Sequence, residues 1–365
     1  MAVIEKDKLL WCILAIIGIN LSNYRLSRRE KFLSLFIIVL NCILALHWVS
    51  ATMFFIISHR AFDHLPYLSL IVQIALTIGF LNAKKNRITH IVQKLYIYRK
   101  EYINEDNRSY MTNILIIIMI FSPVLISVFL LTSVPQPKLK VDFWSFKSQI
   151  EGNFYRDSFL FYCYFIHYAS GVMVLFVTFS LCTIFYRWGE VLNSYNMLLK
   201  LHLREKTQMK TVEILKDFFN IVDTLQKLDL AVSYPSFFII FYALGMVFLS
   251  LYAIVLSRKV FLEEPAYFVE FTFNGLCGFL IVFMYSLSSS VIPQRIVEIK
   301  KTAKKYINRL GENSLHFQLF TFYLRRIEME DTVYISACGL FYFTRQFILT
   351  AIGVTLTYDL LIIKF

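Results

Sequence analysis

The amino-acid sequence contains seven long stretches in which nearly every residue is apolar. A helix of about 20 such residues crosses the roughly 30 Å hydrocarbon core of a bilayer, because each residue advances the helix by about 1.5 Å. Backbone in lipid must satisfy its own hydrogen bonds, and the stretches lack the alternation of barrel strands, so we predict helices. The predicted spans are 32–57, 66–81, 113–132, 159–186, 234–256, 268–292 and 346–364.

Composition supports an all-α, polytopic membrane protein. Hydrophobic residues make up 58% of the chain and charged residues only 17%, with a mean hydropathy of +0.59. A soluble domain averages about 45–50% apolar and about 25% charged residues. Membrane lipid is therefore an expected partner. The net charge of +12 would suggest nucleic acid in a soluble protein, but basic residues also collect on the cytoplasmic side of membrane proteins, so no nucleic-acid partner is expected.

A shorter apolar run, 9–19, follows Lys6 and Lys8 and imitates a signal peptide. No small-residue cleavage site follows it. We expect residues 1–31 to form a cytoplasmic N-terminal segment with a short re-entrant or interfacial helix, and the sequence leaves these two arrangements open.

Lysine and arginine in the connections between spans predict the orientation. The N-terminal segment and the second, fourth and sixth connections hold 29 of these residues, and the other connections hold 7. The positive-inside rule therefore predicts a cytoplasmic N-terminus and, with seven spans, an extracellular C-terminus. This orientation is opposite to that of a G-protein-coupled receptor, and the motifs of that class are missing from the spans.

Two inner connections are long and mix apolar and charged residues at helical spacing. They cover 198–227 and 294–330, and we expect cytoplasmic extensions of the membrane helices there. Each extension must bury its apolar face, against either a partner subunit or lipid headgroups.

No pattern of residues indicates an enzyme, a cofactor or a metal site. The chain has no nucleophile elbow and no phosphate-binding glycine loop, and its seven histidines form no i, i+4 pair. The six cysteines show neither a disulfide framework nor zinc spacing, so we interpret them as buried small hydrophobes.

The end of the chain carries a resemblance to a known family. Insect gustatory receptors end their seventh helix with Thr-Tyr, five mostly hydrophobic residues, and Gln-Phe. This chain has Thr357 and Tyr358, five residues, and then Lys364 and Phe365. The upstream sequence 337–341, ACGLF, also resembles the family's approach to that helix. The layout of the whole chain is similar to that of the family, and the specific motif covers about its last thirty residues.

The resemblance implies a tastant-gated, non-selective cation channel in the plasma membrane of sensory neurons. It implies four subunits, as a homo- or heterotetramer with other gustatory receptor subunits, and no required G protein. Residues 32–292 would form a six-helix bundle with the ligand pocket, 293–345 the anchor helices between subunits, and 346–365 the helix that lines the pore. Family breadth alone favours bitter-type or other non-sugar tastants.

Two residues depart from the family pattern, Lys364 in place of glutamine and Asp359 within the hydrophobic five. At about 100° per residue, Leu361, Lys364 and Phe365 share one side of the helix, and Asp359 lies opposite. If that side faces the pore, four lysines would oppose cation flow. We expect either the terminal carboxylate to neutralise the lysine in part, or partner subunits that carry glutamine. The alternative is a lysine that extends to the outer membrane interface.

The ligand-pocket residues are aromatic or polar and lie in the outer halves of the spans. They are Trp48, Tyr162, Tyr164, His167, Tyr168, Tyr252 and Asn274. Aromatic faces with a few polar groups suit a sugar or a flat alkaloid, although each residue could instead pack in the bundle core. Two other functions stay open: an odorant-receptor-like channel, and a secondary transporter, which the lack of internal repeats disfavours.

Overall fold

The computed structural model of the chain describes residues 61–103, 128, 153–205, 208–256, 265–308 and 315–364, and these residues are mostly helical. Two short strands, β1 (Ser336–Ala337) and β2 (Phe341–Tyr342), pair antiparallel as a hairpin. The helices are α1 (Ala61–Tyr102), α2 (Asn153–Glu205), α3 (Gln208–Leu256), α4 (Pro265–Ile307), α5 (Leu315–Met329) and α6 (Arg345–Lys364).

Several of these helices are much longer than a membrane is thick. Helix α2 has 53 residues and α3 has 49, against the roughly 20 that a bilayer core requires. Within the described residues, three stretches are long and apolar enough to cross a membrane: Val174–Leu203, Val212–Leu251 and Phe271–Ile307. The prediction of a multi-pass helical membrane protein is confirmed. Seven spans and their orientation stay predictions, because 32–57 and all of 113–132 except residue 128 lie outside the described residues.

One end of the bundle holds a dense core. Helices α1, α2 and α4 end there, α3 and α6 begin there, and the hairpin lies between α5 and α6; we call it the hairpin end. Its largest fully buried side chains include Trp188, Tyr195 and Phe218. The predicted extensions 198–227 and 294–330 belong to this end, and their apolar faces contribute Leu215, Ile299 and Leu324 to the core. The extensions therefore bury apolar side chains within the chain itself, a possibility that the sequence did not suggest.

Buried hydrogen bonds tie the helices of the hairpin end to one another. The Tyr195 hydroxyl of α2 donates to the Ile214 carbonyl oxygen of α3 at 2.9 Å. The Thr302 hydroxyl of α4 lies 2.9 Å from Asn196 Oδ1 of α2 and 3.0 Å from the Glu298 carbonyl oxygen, and it shares its proton between these two acceptors. Hydrogen bonds that join residues distant in sequence fix the relative positions of the helices, because a buried polar group that loses its partner is costly in free energy.

Helices α3 and α4 approach closely in the membrane part of the bundle. A Cβ atom at Gly278 would lie 2.5 Å from the Ala243 carbonyl oxygen, and one at Gly275 would lie 3.0 Å from Ser250 Cβ. Small residues at helix interfaces let backbones approach in this way. The two helices are therefore packed backbone against backbone at this level.

Candidate functional site at the start of the last helix

The first turn of α6, the predicted pore helix, is fixed by polar contacts. The Phe347 amide donates to Thr344 Oγ1 at 3.3 Å, so Thr344 caps the helix as threonine commonly does. The Arg345 guanidinium donates to Gln294 Oε1 of α4 at 3.2 Å. The beginning of α6 is thus tied both to the preceding chain and to α4.

A tight turn leads into this helix. The Leu340 amide donates to the Ala337 carbonyl oxygen at 2.9 Å, and the two central residues, Cys338 and Gly339, have φ angles of +53° and +68°. Two positive φ angles in succession are typical of a hairpin turn of type I′. Glycine adopts this conformation freely, whereas a cysteine in it is held against its own preference.

A series of hydrogen bonds joins helix α3 to the hairpin. The Ser336 amide donates to Asp229 Oδ1 at 2.6 Å, and the Ser336 hydroxyl donates to the same carboxylate at 3.0 and 3.2 Å. The Cys338 amide donates to Ser233 Oγ at 2.7 Å, and the Ser233 and Ser336 hydroxyls lie 3.2 Å apart. The Ser336 proton already points to the carboxylate, so Ser233 is the donor between the hydroxyls. We call these four residues the hairpin clamp.

Aromatic rings support the same junction from α4. Tyr285 is fully buried, and its ring lies edge-on to Phe343 with centroids 4.8 Å apart. The Tyr285 hydroxyl donates to Ser236 of α3, because the Ser236 proton is donated to the Val232 carbonyl oxygen. Phe343 in turn contacts Phe347 in the first turn of α6, with the two ring centroids 5.5 Å apart. The residues just before α6 therefore pack on a tyrosine that joins α3 and α4.

The described part of α6 has two distinct faces. Ile348 and Ala351 are buried against the bundle. The opposite face is exposed and mostly uncharged: Leu349, Thr350, Gly353, Val354, Leu356 and Thr357. Leu349 is 72% exposed, so this face presents a large apolar side chain outside the bundle of the single chain.

Most of the predicted pore residues lie at the far end of α6. The helix backbone continues to Lys364, and Thr357 lies on the exposed face. The side chains of Tyr358, Leu361 and Lys364, and all of Phe365, lie outside the described residues. Their role at a pore stays a prediction.

The predicted pocket residues are only partly described. Tyr162, Tyr164, His167 and Tyr168 belong to α2 and Tyr252 to α3, but their side chains lie outside the described residues, as does Trp48. Asn274 of α4 is half-buried. The Gly275–Ser250 approach places the backbones of Asn274 and Tyr252 near the same level of the bundle.

The sequence reasoning missed the hairpin clamp and Tyr285. One signal was available: Asp229, Ser233 and Ser236 follow the spacing i, i+4, i+7, which places them on one helix face. The partners of Asp229 and Ser233 lie more than a hundred residues away, and no local pattern in the sequence identifies them.

At the hairpin end, the Asp217 carboxylate of α3 acts on two ionisable groups at the end of α1. The Tyr102 hydroxyl of α1 donates to Asp217 of α3 at 3.1 Å, and burial together with that carboxylate raises the tyrosine pKa. Burial and, secondarily, Asp217 also raise the pKa of Glu101. Among the described residues, no group of histidine, cysteine, aspartate and glutamate has the geometry to hold a metal ion.

Comparison with known proteins shows a likeness of fold but no match by sequence. No protein-family model matches the chain, and no curated protein matches it by sequence. The structure of the insect olfactory receptor OR5 from Machilis hrabei is similar, with a TM-score of 0.69 and 13% identity over 99% of this chain and 98% of that one. The same receptor in complex with eugenol gives 0.68 and 14%, over 99% of both chains. The chain therefore has the fold of an insect olfactory receptor.

Proposed function

We propose that the chain is a subunit of a ligand-gated cation channel that detects small molecules. The observation that carries the proposal is the likeness of fold over 99% of the chain to an insect olfactory receptor, which has also been solved with the small molecule eugenol. The gustatory-receptor motif at Thr357 and Tyr358 supports the same assignment independently, because it belongs to the last helix of a related kind of receptor.

The pore in this proposal is formed by α6 from four subunits. One face of α6 is buried against its own bundle and the other exposes uncharged residues, among them Leu349 and Val354. A helix that packs in a bundle and also lines a shared central path needs such a second face. The helix turns by about 100° per residue. If the exposed face is continued to the end of α6 at this angle, positions 361 and 364 lie on it and position 359 lies on the side of the bundle.

The ligand class in this proposal is a bitter-type or other non-sugar tastant, and the site of action is the plasma membrane of sensory neurons. The chain-end motif favours the gustatory family. An odorant-receptor-like channel is the second candidate, favoured by the fact that the two similar structures described above are of an olfactory receptor. Both candidates share the channel mechanism and differ in the pocket.

Patch-clamp recording of the expressed protein tests the proposal. Excised patches without nucleotide should give inward currents within a second of applying an active compound from a panel of quinine, caffeine, denatonium, sucrose and eugenol. A response to the first three would favour the gustatory assignment, and a response to eugenol alone would favour the odorant-receptor-like one.

Co-expression with candidate partner subunits is the necessary second arm, because a subunit of a heteromer is silent alone. Protein at the cell surface that gives no unitary currents in any combination, but carries saturable flux of a panel compound, would refute the channel and favour a transporter.

A further inference from the structure

One face of α3 holds two different parts of the molecule. Asp229, Ser233 and Ser236 lie at i, i+4 and i+7, and so point the same way from the helix. The first two bind the hairpin, and the third binds Tyr285 of α4. A displacement of α3 relative to α4 therefore changes the hydrogen bonds that this face makes.

The hairpin is held on that face in a conformation it would not keep alone. Cys338 has a φ of +53°, and its amide donates both to Ser233 Oγ at 2.7 Å and to the Ser233 carbonyl oxygen at 3.3 Å. A strained, non-glycine residue keeps such a conformation only where its surroundings fix it. The hairpin therefore moves together with α3.

The start of helix α6 is in turn joined to the hairpin by contacts between aromatic rings. The rings of Phe341 and Phe347 stack with centroids 4.8 Å apart and planes within 7°, and the Phe343 ring lies edge-on to both of them, with its centroid 5.5 Å from each. These contacts join the hairpin to the first turn of α6, and the Arg345–Gln294 hydrogen bond joins the same turn to α4. A movement of α3 against α4 therefore shifts this turn relative to at least one of the two helices.

We propose that the hairpin clamp couples the helix bundle to α6, with Asp229 and Ser233 as the residues that position the start of that helix. The proposal rests on the proposed function, in which α6 lines the pore and the bundle binds the ligand. Occupancy of the bundle moves α3 against α4, and the clamp passes this movement to the beginning of the pore helix.

Substitution of Asp229 tests the coupling. Asp229→Ala removes the acceptor of the Ser336 amide, and a buried donor without a partner strongly disfavours the arrangement. We expect the ligand-free open probability, or the half-activating concentration of the most potent panel compound, to shift by about tenfold or more. Unitary conductance and reversal potential should stay unchanged, because the pore-lining residues are intact.

Two control variants accompany Asp229→Ala: one removes a carboxylate elsewhere on the same helix, and the other keeps an acceptor oxygen at position 229. Asp223→Ala removes a carboxylate from the same helix, where Asp223 is exposed and accepts a hydrogen bond from Lys227 at 2.6 Å, and it should shift neither quantity. Asp229→Asn keeps an oxygen that accepts from the Ser336 amide, so its shift should stay under about threefold. Wild-type gating in Asp229→Ala at normal surface expression, or a changed unitary conductance, would overturn the coupling role.

Hydrogen exchange of the purified protein gives a readout that needs no current. The amides of Ser336 and Cys338 should exchange at least about tenfold faster in Asp229→Ala than in Asp223→Ala. Equal exchange in the two variants would show that the clamp does not hold the hairpin. A wild-type protein that stays silent in every patch would instead refute the proposed function and the coupling role with it, whatever the exchange result.

Discussion

Gly278 and Gly353 are both helical glycines, yet their surroundings differ completely. A Cβ at Gly278 would meet the Ala243 carbonyl oxygen at 2.5 Å, whereas one at Gly353 would meet nothing within 4 Å. We expect Gly278→Ala to lower the free energy of unfolding by about 1–3 kcal/mol, because backbone must move. Gly353→Ala should raise it by about 0.5–1 kcal/mol, because alanine favours helix.

Thermal melting of the detergent-solubilised protein, followed by size-exclusion chromatography, measures the two effects. The pair controls for chemistry, since the same methyl group is added to a helix in each. Shifts of the same sign in both variants would contradict the close packing of α3 on α4.

Lys364 is the residue on which the proposed ion path depends most directly. A ring of lysines opposes cation flow, so Lys364→Gln should raise unitary cation conductance and shift the reversal potential under an NaCl gradient toward that of sodium. Lys305→Gln removes an exposed lysine from the hairpin end and should leave permeation as it is. Identical permeation of wild type and Lys364→Gln, alone and with every partner subunit, would show that position 364 does not face the pore.

The two faces of α6 make a prediction at the scale of a whole element. Cysteines introduced at Gly353 and Thr357, on the exposed face, should react with a charged thiol reagent and reduce the current. Cysteines at Ile348 and Ala351, which are 8% exposed each, should not react. A current that the reagent leaves unchanged at both exposed positions would place the pore elsewhere. Recording from each variant before and after the reagent gives the comparison.

The elements differ in how far the sequence determines them. Long apolar runs predict membrane helices because lipid leaves the backbone no alternative, and the helices around 234–256 and 268–292 are found where they were expected. The two-residue strands of the hairpin carry no such signal. They depend on Asp229 and Ser233, which lie more than a hundred residues before the hairpin in the sequence, so the sequence predicts the last helix but not what holds it.

Orientation is a property of the whole molecule, and it follows from the distribution of lysine and arginine. An epitope inserted between α3 and α4 should bind antibody on intact cells, and one inserted between α4 and α5 only after permeabilisation. This result is expected because the basic connections remain in the cytosol. The reverse labelling pattern would invert the predicted topology and move the ligand-binding half to the cytosolic side.

The length of α3 has a mechanical consequence. Its 49 residues span about 74 Å at 1.5 Å per residue, with the hairpin clamp near its middle and the close contact with α4 toward its C-terminal end. A tilt of about 3° displaces one end of a straight helix of that length by about 4 Å relative to the other, but only by about 1 Å over the stretch from Ser233 to Ser250. Pro235 removes a backbone hydrogen bond of α3 between the clamp and the contact with α4, so bending of this helix is concentrated there and changes the angle between the two contacts.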